Sequence, residues 1–176
     1  ILKAIKARNF SPIYFLMGDE PYFIDIIENA LDQSVVTEEE RAFNQTIFYG
    51  KDTSVGDIVD AAKRFPMMAE RQLVIIREAQ ELSRNILQLT DYVQNPQPST
   101  VLVFCYKYKT LDKRKKLYKA LQEKSILFES KKLYENQIPD WIQRWLKAKN
   151  RTIKLKASHL LVECLGTDLS TIEQSL

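Results

Sequence analysis

The sequence predicts an α/β protein built on a parallel sheet of five strands with flanking helices, followed by a small all-helical part. Three observations carry that expectation. Short runs rich in Val, Ile, Leu, Phe and Tyr alternate with segments of helical periodicity through most of the chain, the order that strand–helix–strand crossovers require. The runs are apolar at successive positions, so both faces of each strand need cover, as when helices lie on both sides of a parallel sheet. Beyond residues 132 to 135 the strand-like runs stop and only helical patterns remain.

Taken in order, the predicted strands are IYFLM (13–17), QTIFY (45–49), QLVIIR (72–77), TVLVFC (100–105) and SILFES (125–130). Between them PYFIDIIENAL, SVGDIVDAAKRF, SRNILQLTDYVQ and DKRKKLYKALQEK have the spacing of helices with one apolar face. Asp19, Ser54, Ser83 and Asp112 are the start signals expected for these four helices, with Pro21 suited to a first turn. NPQPS (95–99) stops the third, because proline cannot continue a helix. NQIPDWIQRWLKAKN, KASHLLVECLG and TDLSTIEQSL then read as consecutive helices, placing a domain boundary after residue 133, with units 1–133 and 134–176. A helical pattern running to the last residue reads as part of a longer chain.

The 176 residues suffice for a core without disulfide or metal staples. Hydrophobic residues make up 45% and charged ones 28%, which is globular usage and argues against disorder. With 26 Lys and Arg against 23 Asp and Glu the net charge is +3, so any basic signal is local. Cys105 and Cys164 lie in separate apolar runs and form no CxxC pair. They are expected to pack as small hydrophobes in a reducing, cytosolic setting, without zinc. No stretch reaches the ~18 apolar residues of a membrane span, and no secretory leader is visible.

The turn after the first strand is where nucleotide-binding folds carry a phosphate loop, and the expected chemistry is missing. A P-loop needs GxxxxGK[ST], whose backbone amides close around phosphate. Here Gly18, Asp19, Glu20 and Pro21 offer one glycine, two carboxylates and a proline without N–H. A GxGxxG loop fails at the same place, so no nucleotide cofactor is expected. His159 is the only histidine, which leaves no catalytic triad around a second one and no metal cluster. Elimination therefore disfavours an enzyme.

Two features remain. Lys107, Lys109, Lys113, Arg114, Lys115, Lys116 and Lys119 gather in YKYKTLDKRKKLYKAL. They form either a solvated helix face or a phosphate-binding patch. The second feature is RFPMMAERQLVIIREAQ (64–80), where Pro66 ends a helix and Met67 and Met68 occupy a short connection before a strand. Adjacent flexible thioethers there either fold back over the protein's own core or anchor a partner.

The succession PIYFLMGDEPYFID, RFPMMAERQLVIIREAQ, KYKTLDKRKKLYKAL, IPDWIQRWL and LLVECLGTDLSTIEQSL resembles the delta subunits of bacterial DNA polymerase III, in the same order and over nearly the whole chain. The zinc-binding cysteines and Ser-Arg-Cys motif usual in the sister subunit, delta prime, are absent. The resemblance implies an AAA+-type first domain with a degenerate nucleotide site, a helical lid from Tyr134, and a third, collar domain beyond Leu176. Members of that family open the sliding clamp, the beta subunit, with two hydrophobic residues, commonly Leu-Phe, in the loop before the Arg-Gln-led strand. Transferred here, the clamp-binding loop is Phe65, Pro66, Met67 and Met68, with Met-Met in place of Leu-Phe. The implied partners are the clamp, the other loader subunits (delta prime and gamma/tau) through the collar, and DNA facing the basic segment; no membrane is involved. The readings from the residues alone, a stand-alone nucleic-acid-binding domain or a P-loop-like NTPase, stand as alternatives.

Overall fold

The computed structural model describes residues 1–176, in two units, Ile1–Lys131 and Lys132–Leu176. The first begins with the short helix α1 (Leu2–Lys6) and strand β1 (Ile13–Gly18), followed by α2 (Pro21–Ser34) and α3 (Arg41–Asn44). Then come β2 (Gln45–Tyr49), α4 (Val55–Ala62), β3 (Gln72–Arg77), α5 (Thr90–Gln94), β4 (Thr100–Lys107), α6 (Lys116–Lys124) and β5 (Ile126–Ser130). All pairings are parallel and the spatial order is β2-β3-β4-β1-β5.

The period-2 alternation of a strand divides its side chains between two core layers. Ile13, Phe15 and Met17 of β1 join Val74, Ile76, Leu102 and Phe104 on one face, covered by apolar residues of α4, α5 and α6. Tyr14 and Leu16 join Leu73, Ile75, Val101 and Val103 on the other, covered by Ile24, Ile27 and Leu31 of α2. The central strands β1, β3 and β4 are buried almost throughout, whereas the edges β2 and β5 are only half covered. The chain leaves β1 towards β2 and leaves β4 towards β5, so the carboxyl ends of these two neighbours flank the switch point where open α/β sheets bind ligands.

Local start signals differ from expectation in three of four helices. Ser54 caps α4 in a capping box with Asp57. Glu20, not Asp19, caps α2, accepting from the Tyr22 amide at 3.3 Å ahead of Pro21. The segment expected as one helix from Ser83 is two 3-10 stretches, Ala79–Arg84 and Ile86–Leu89, followed by α5. Leu82, Ile86 and Leu89 still reach the core; burial is satisfied without a continuous helix. Asp112 accepts from the Arg114 amide in a turn, and α6 begins only at Lys116.

The second unit holds α7 (Ile138–Ala148), α8 (Leu155–Leu165) and α9 (Leu169–Gln174). Helix α7 buries Ile138, Trp141, Ile142 and Leu146, one face at helical spacing. Gly166, at φ 76°, ends α8, and Asp168 caps α9 by accepting from the Thr171 amide at 2.7 Å. Cys105 is buried as expected, but Cys164 is exposed on α8. No helix is long and apolar enough to cross a membrane.

Candidate protein-interaction site

The loop between α4 and β3 is built from its two ends. Helices leave their last carbonyls without intrahelical partners. Here buried side chains supply them: the Thr100 hydroxyl donates to the Ala62 carbonyl at 2.7 Å, and the Gln72 amide donates to Thr100 Oγ1 at 2.8 Å and to the Arg64 carbonyl at 2.5 Å. Pro66 then forbids a further turn. On the far side Arg71 donates to the Pro98 carbonyl at 3.2 Å and its guanidinium lies 5.9 Å from the centre of the Phe10 ring.

Between these anchors the side chains point outwards. Phe65 is 79% exposed, Met67 60% and Met68 101%. Met68 adopts φ 52°, the left-handed region, which costs a non-glycine residue about 1 kcal/mol or more. The Met67 backbone is gripped by Asn44, whose Oδ1 accepts from the Met67 amide at 2.6 Å and whose Nδ2 donates to the Met67 carbonyl at 2.9 Å. Met67 and Met68 thus do not pack into the core of this chain. Phe43, beside Asn44, is also 71% exposed.

The seven basic residues are not one patch of equivalent charges. Lys107 bonds Asp25 of α2 at 2.5 Å, Lys113 bonds Glu129 of β5 at 3.1 Å, and Arg114 bonds Asp112 at 2.9 Å. Asp112 is held down to about 2, chiefly by its bonds to the Arg114 side chain and amide. Lys109, Lys115, Lys116 and Lys119 are exposed and carry no ion pair.

At the switch point the amides of Gly18 and Asp19 are spent on bonds within the fold. Gly18 N donates to the Lys109 carbonyl and Tyr108 N donates to the Gly18 carbonyl, joining the ends of β1 and β4. Asp19 N donates to the Ser130 carbonyl of β5. Gly18 has φ 126°, and a Cβ there would lie 2.0 Å from the Ser130 carbonyl oxygen, so only glycine allows this closure. Behind it buried Glu28 accepts from Arg77 Nε at 2.6 Å and from the Cys105 thiol at 3.2 Å. Glu28 holds Arg77 above its ordinary range, while burial, aided by Glu28, pushes the Cys105 thiol well up. His159 lines a shallow depression of the helical unit with Glu135, Pro139 and Glu163. No group of three or more metal-ligating side chains occurs.

The sequence marks Gln72 only as the second residue of the Arg-Gln pair that leads β3, and gives no sign of the contacts made by Gln72, Asn44, Thr100 and Glu28. Each acts on a residue distant in sequence, and no local pattern marks such a pairing.

Comparison with known proteins gives a consistent relationship. The family model described as DNA polymerase III, delta subunit, matches residues 14–131. DNA polymerase III subunit delta of Bacillus subtilis (strain 168) is 31% identical over 185 aligned positions, covering all of this chain and 53% of that protein. The solved Bacillus subtilis DNA clamp loader delta protein aligns with a TM-score of 0.80 at 31% identity, over 98% of this chain and 54% of the other. A point variant of Thermotoga maritima RuvB aligns with a TM-score of 0.51 at 18% identity, over 98% of this chain and 56% of the other, a likeness of fold alone. The chain thus spans about half the length of the delta relatives it matches.

Proposed function

The chain belongs to the DNA polymerase III delta-subunit family, and from that premise we propose that it is the clamp-gripping part of a clamp loader, docking the loop Phe65–Met68 into an apolar pocket of the sliding clamp. The observation that carries this reading is the exposure of Phe65, Met67 and Met68 on a loop whose two ends are fixed by buried or packed groups. A loop whose backbone is already held has less backbone freedom to lose on binding, so more of the burial energy of its apolar side chains is available to the complex. The Met-Met pair suits such a role through its adaptable thioethers.

No catalysis in this chain is required. A ring with a strained seam stays open if the loop binds its open form better than its closed one, about 1.4 kcal/mol for each tenfold preference. The occupied amides at Gly18 and Asp19 support the same reading, because those two donors are spent inside the fold and are not available to phosphate. In this reading α7 to α9 form a lid domain, and contacts with the other loader subunits belong to the part of the relatives that this chain does not span. A second role, contact with DNA threaded through the loader, is favoured by one observation: Lys115, Lys116 and Lys119, exposed and in no ion pair, lie at the start of α6, with Lys109 exposed just after β4.

The test is equilibrium binding of the 176-residue chain to the cognate clamp, with Met67→Ser, Met68→Ser as the variant. Each methionine buried in a pocket is worth roughly 1.5 to 3 kcal/mol, so the double variant should bind about a hundredfold or more weakly. Its melting temperature should not change, because neither side chain packs inside. Wild-type affinity in that variant would sink the proposal.

A further inference from the structure

An anchor works only if its backbone is held, and the hold on this loop comes from outside it. No backbone–backbone hydrogen bond involves residues 65 to 71. Asn44 replaces them: buried at 3% exposure, its carboxamide both accepts from and donates to Met67, the pair of bonds that a facing strand residue would exchange. Few side chains offer a donor and an acceptor side by side at this length; Asp lacks the donor and Ala lacks both. Asn44 is itself anchored through its neighbours. Arg41 Nη2 donates to the Asp32 carbonyl of α2 at 3.0 Å, Arg41 Nη1 lies 3.5 Å from the Asp32 carboxylate, and Gln45 Nε2 donates to that carboxylate.

We propose that Asn44 is the positioning residue of the docking loop: it sets the affinity for the clamp by fixing the Met67 backbone, without touching the partner. The inference rests on the reading of residues 65–68 as the docking element. Without the bracket the chain between Arg64 and Arg71 samples many conformations. If the presenting one is then populated about one-tenth of the time, affinity falls about tenfold.

The experiment measures clamp binding by wild type, Asn44→Ala, Asn44→Asp and Met67→Ser, Met68→Ser, at a temperature well below melting, together with amide exchange at Met67. The expected result is a Met67 amide protected in wild type and exchanging freely in Asn44→Ala, with an affinity loss of about tenfold. Asn44→Asp, nearly isosteric, should lose affinity in the same direction because a carboxylate oxygen then faces the Met67 carbonyl. A merely structural residue would lower the melting temperature and leave the affinity of the folded chain unchanged, and that result would overturn the proposal. So would a Met67 amide that exchanges in wild type as in an unstructured peptide, a measurement that needs no variant to fold. If the methionine double variant binds like wild type, the docking reading itself fails. If it loses binding while both folded Asn44 variants keep theirs, only the role of Asn44 fails.

Discussion

At the scale of single residues, the informative groups are those whose environment departs from what their type suggests. The two cysteines looked alike in sequence, each in an apolar run, yet Cys105 is buried against Glu28 and Cys164 faces solvent. Periodicity shows that a helix has an apolar face but not which of its marginal residues the neighbouring helix covers, and Cys164 falls outside the covered face. A thiol reagent should therefore modify one cysteine per native chain and two after denaturation. The same burial has a pH consequence. Burial raises the Cys105 thiol and the phenols of Tyr14, Tyr92 and Tyr106, so the unfolded chain releases those protons first. Stability is then full below the ordinary thiol range, about pH 9, and falls as pH rises beyond it. Denaturation midpoints measured from about pH 7 to 11 should decline on the alkaline side, and a flat profile would contradict the burial of these groups.

At the scale of elements, α6 starts against its own electrostatics. Its cap position is Lys115, its first residue is Lys116, no side chain caps it, and its first turn holds no acid. Cations at that end oppose the helix dipole by about 0.3 to 1 kcal/mol each. Changing Lys115 and Lys116 to Glu should thus raise the melting temperature slightly. If the segment meets DNA, the same change should weaken binding and flatten its salt dependence by about one unit of slope for each lost phosphate contact. Stabilisation with unaltered DNA binding would remove the segment from the nucleic-acid interface. Element types were largely legible: the five strands lie where runs of Val, Ile, Phe and Tyr put them, because two-sided burial demands such runs. The broken helix at residues 79–94 was not, since Leu82, Ile86 and Leu89 satisfy the core equally well from 3-10 turns. Nor were the ion pairs of Lys107 and Lys113, whose acids, Asp25 and Glu129, come from other elements.

At the scale of the molecule, fold class was legible from the alternation of elements, and the loop at Pro66 from its break between helix and strand. Asn44 was invisible, because an asparagine before a strand has many ordinary uses and only the folded chain brings Met67 to it. Both core layers of the sheet unit lie within residues 5–128. A chain ending at Lys131 should therefore unfold in urea as one cooperative transition. A chain ending at Lys124 lacks β5, which pairs with β1 from Tyr14↔Ile126 to Gly18↔Ser130, and should lose that cooperativity. The strand order also sets a timetable for synthesis. Phe15 lies between Phe104 on one side and Leu127 on the other, so β1 has no neighbour to pair with until the ribosome has made the chain almost to its last strand. At roughly 5 to 20 residues per second that interval lasts several seconds or longer, during which IYFLM is open to wrong partners and to holding chaperones. Of the five strands, the one translated first is sheltered among the last.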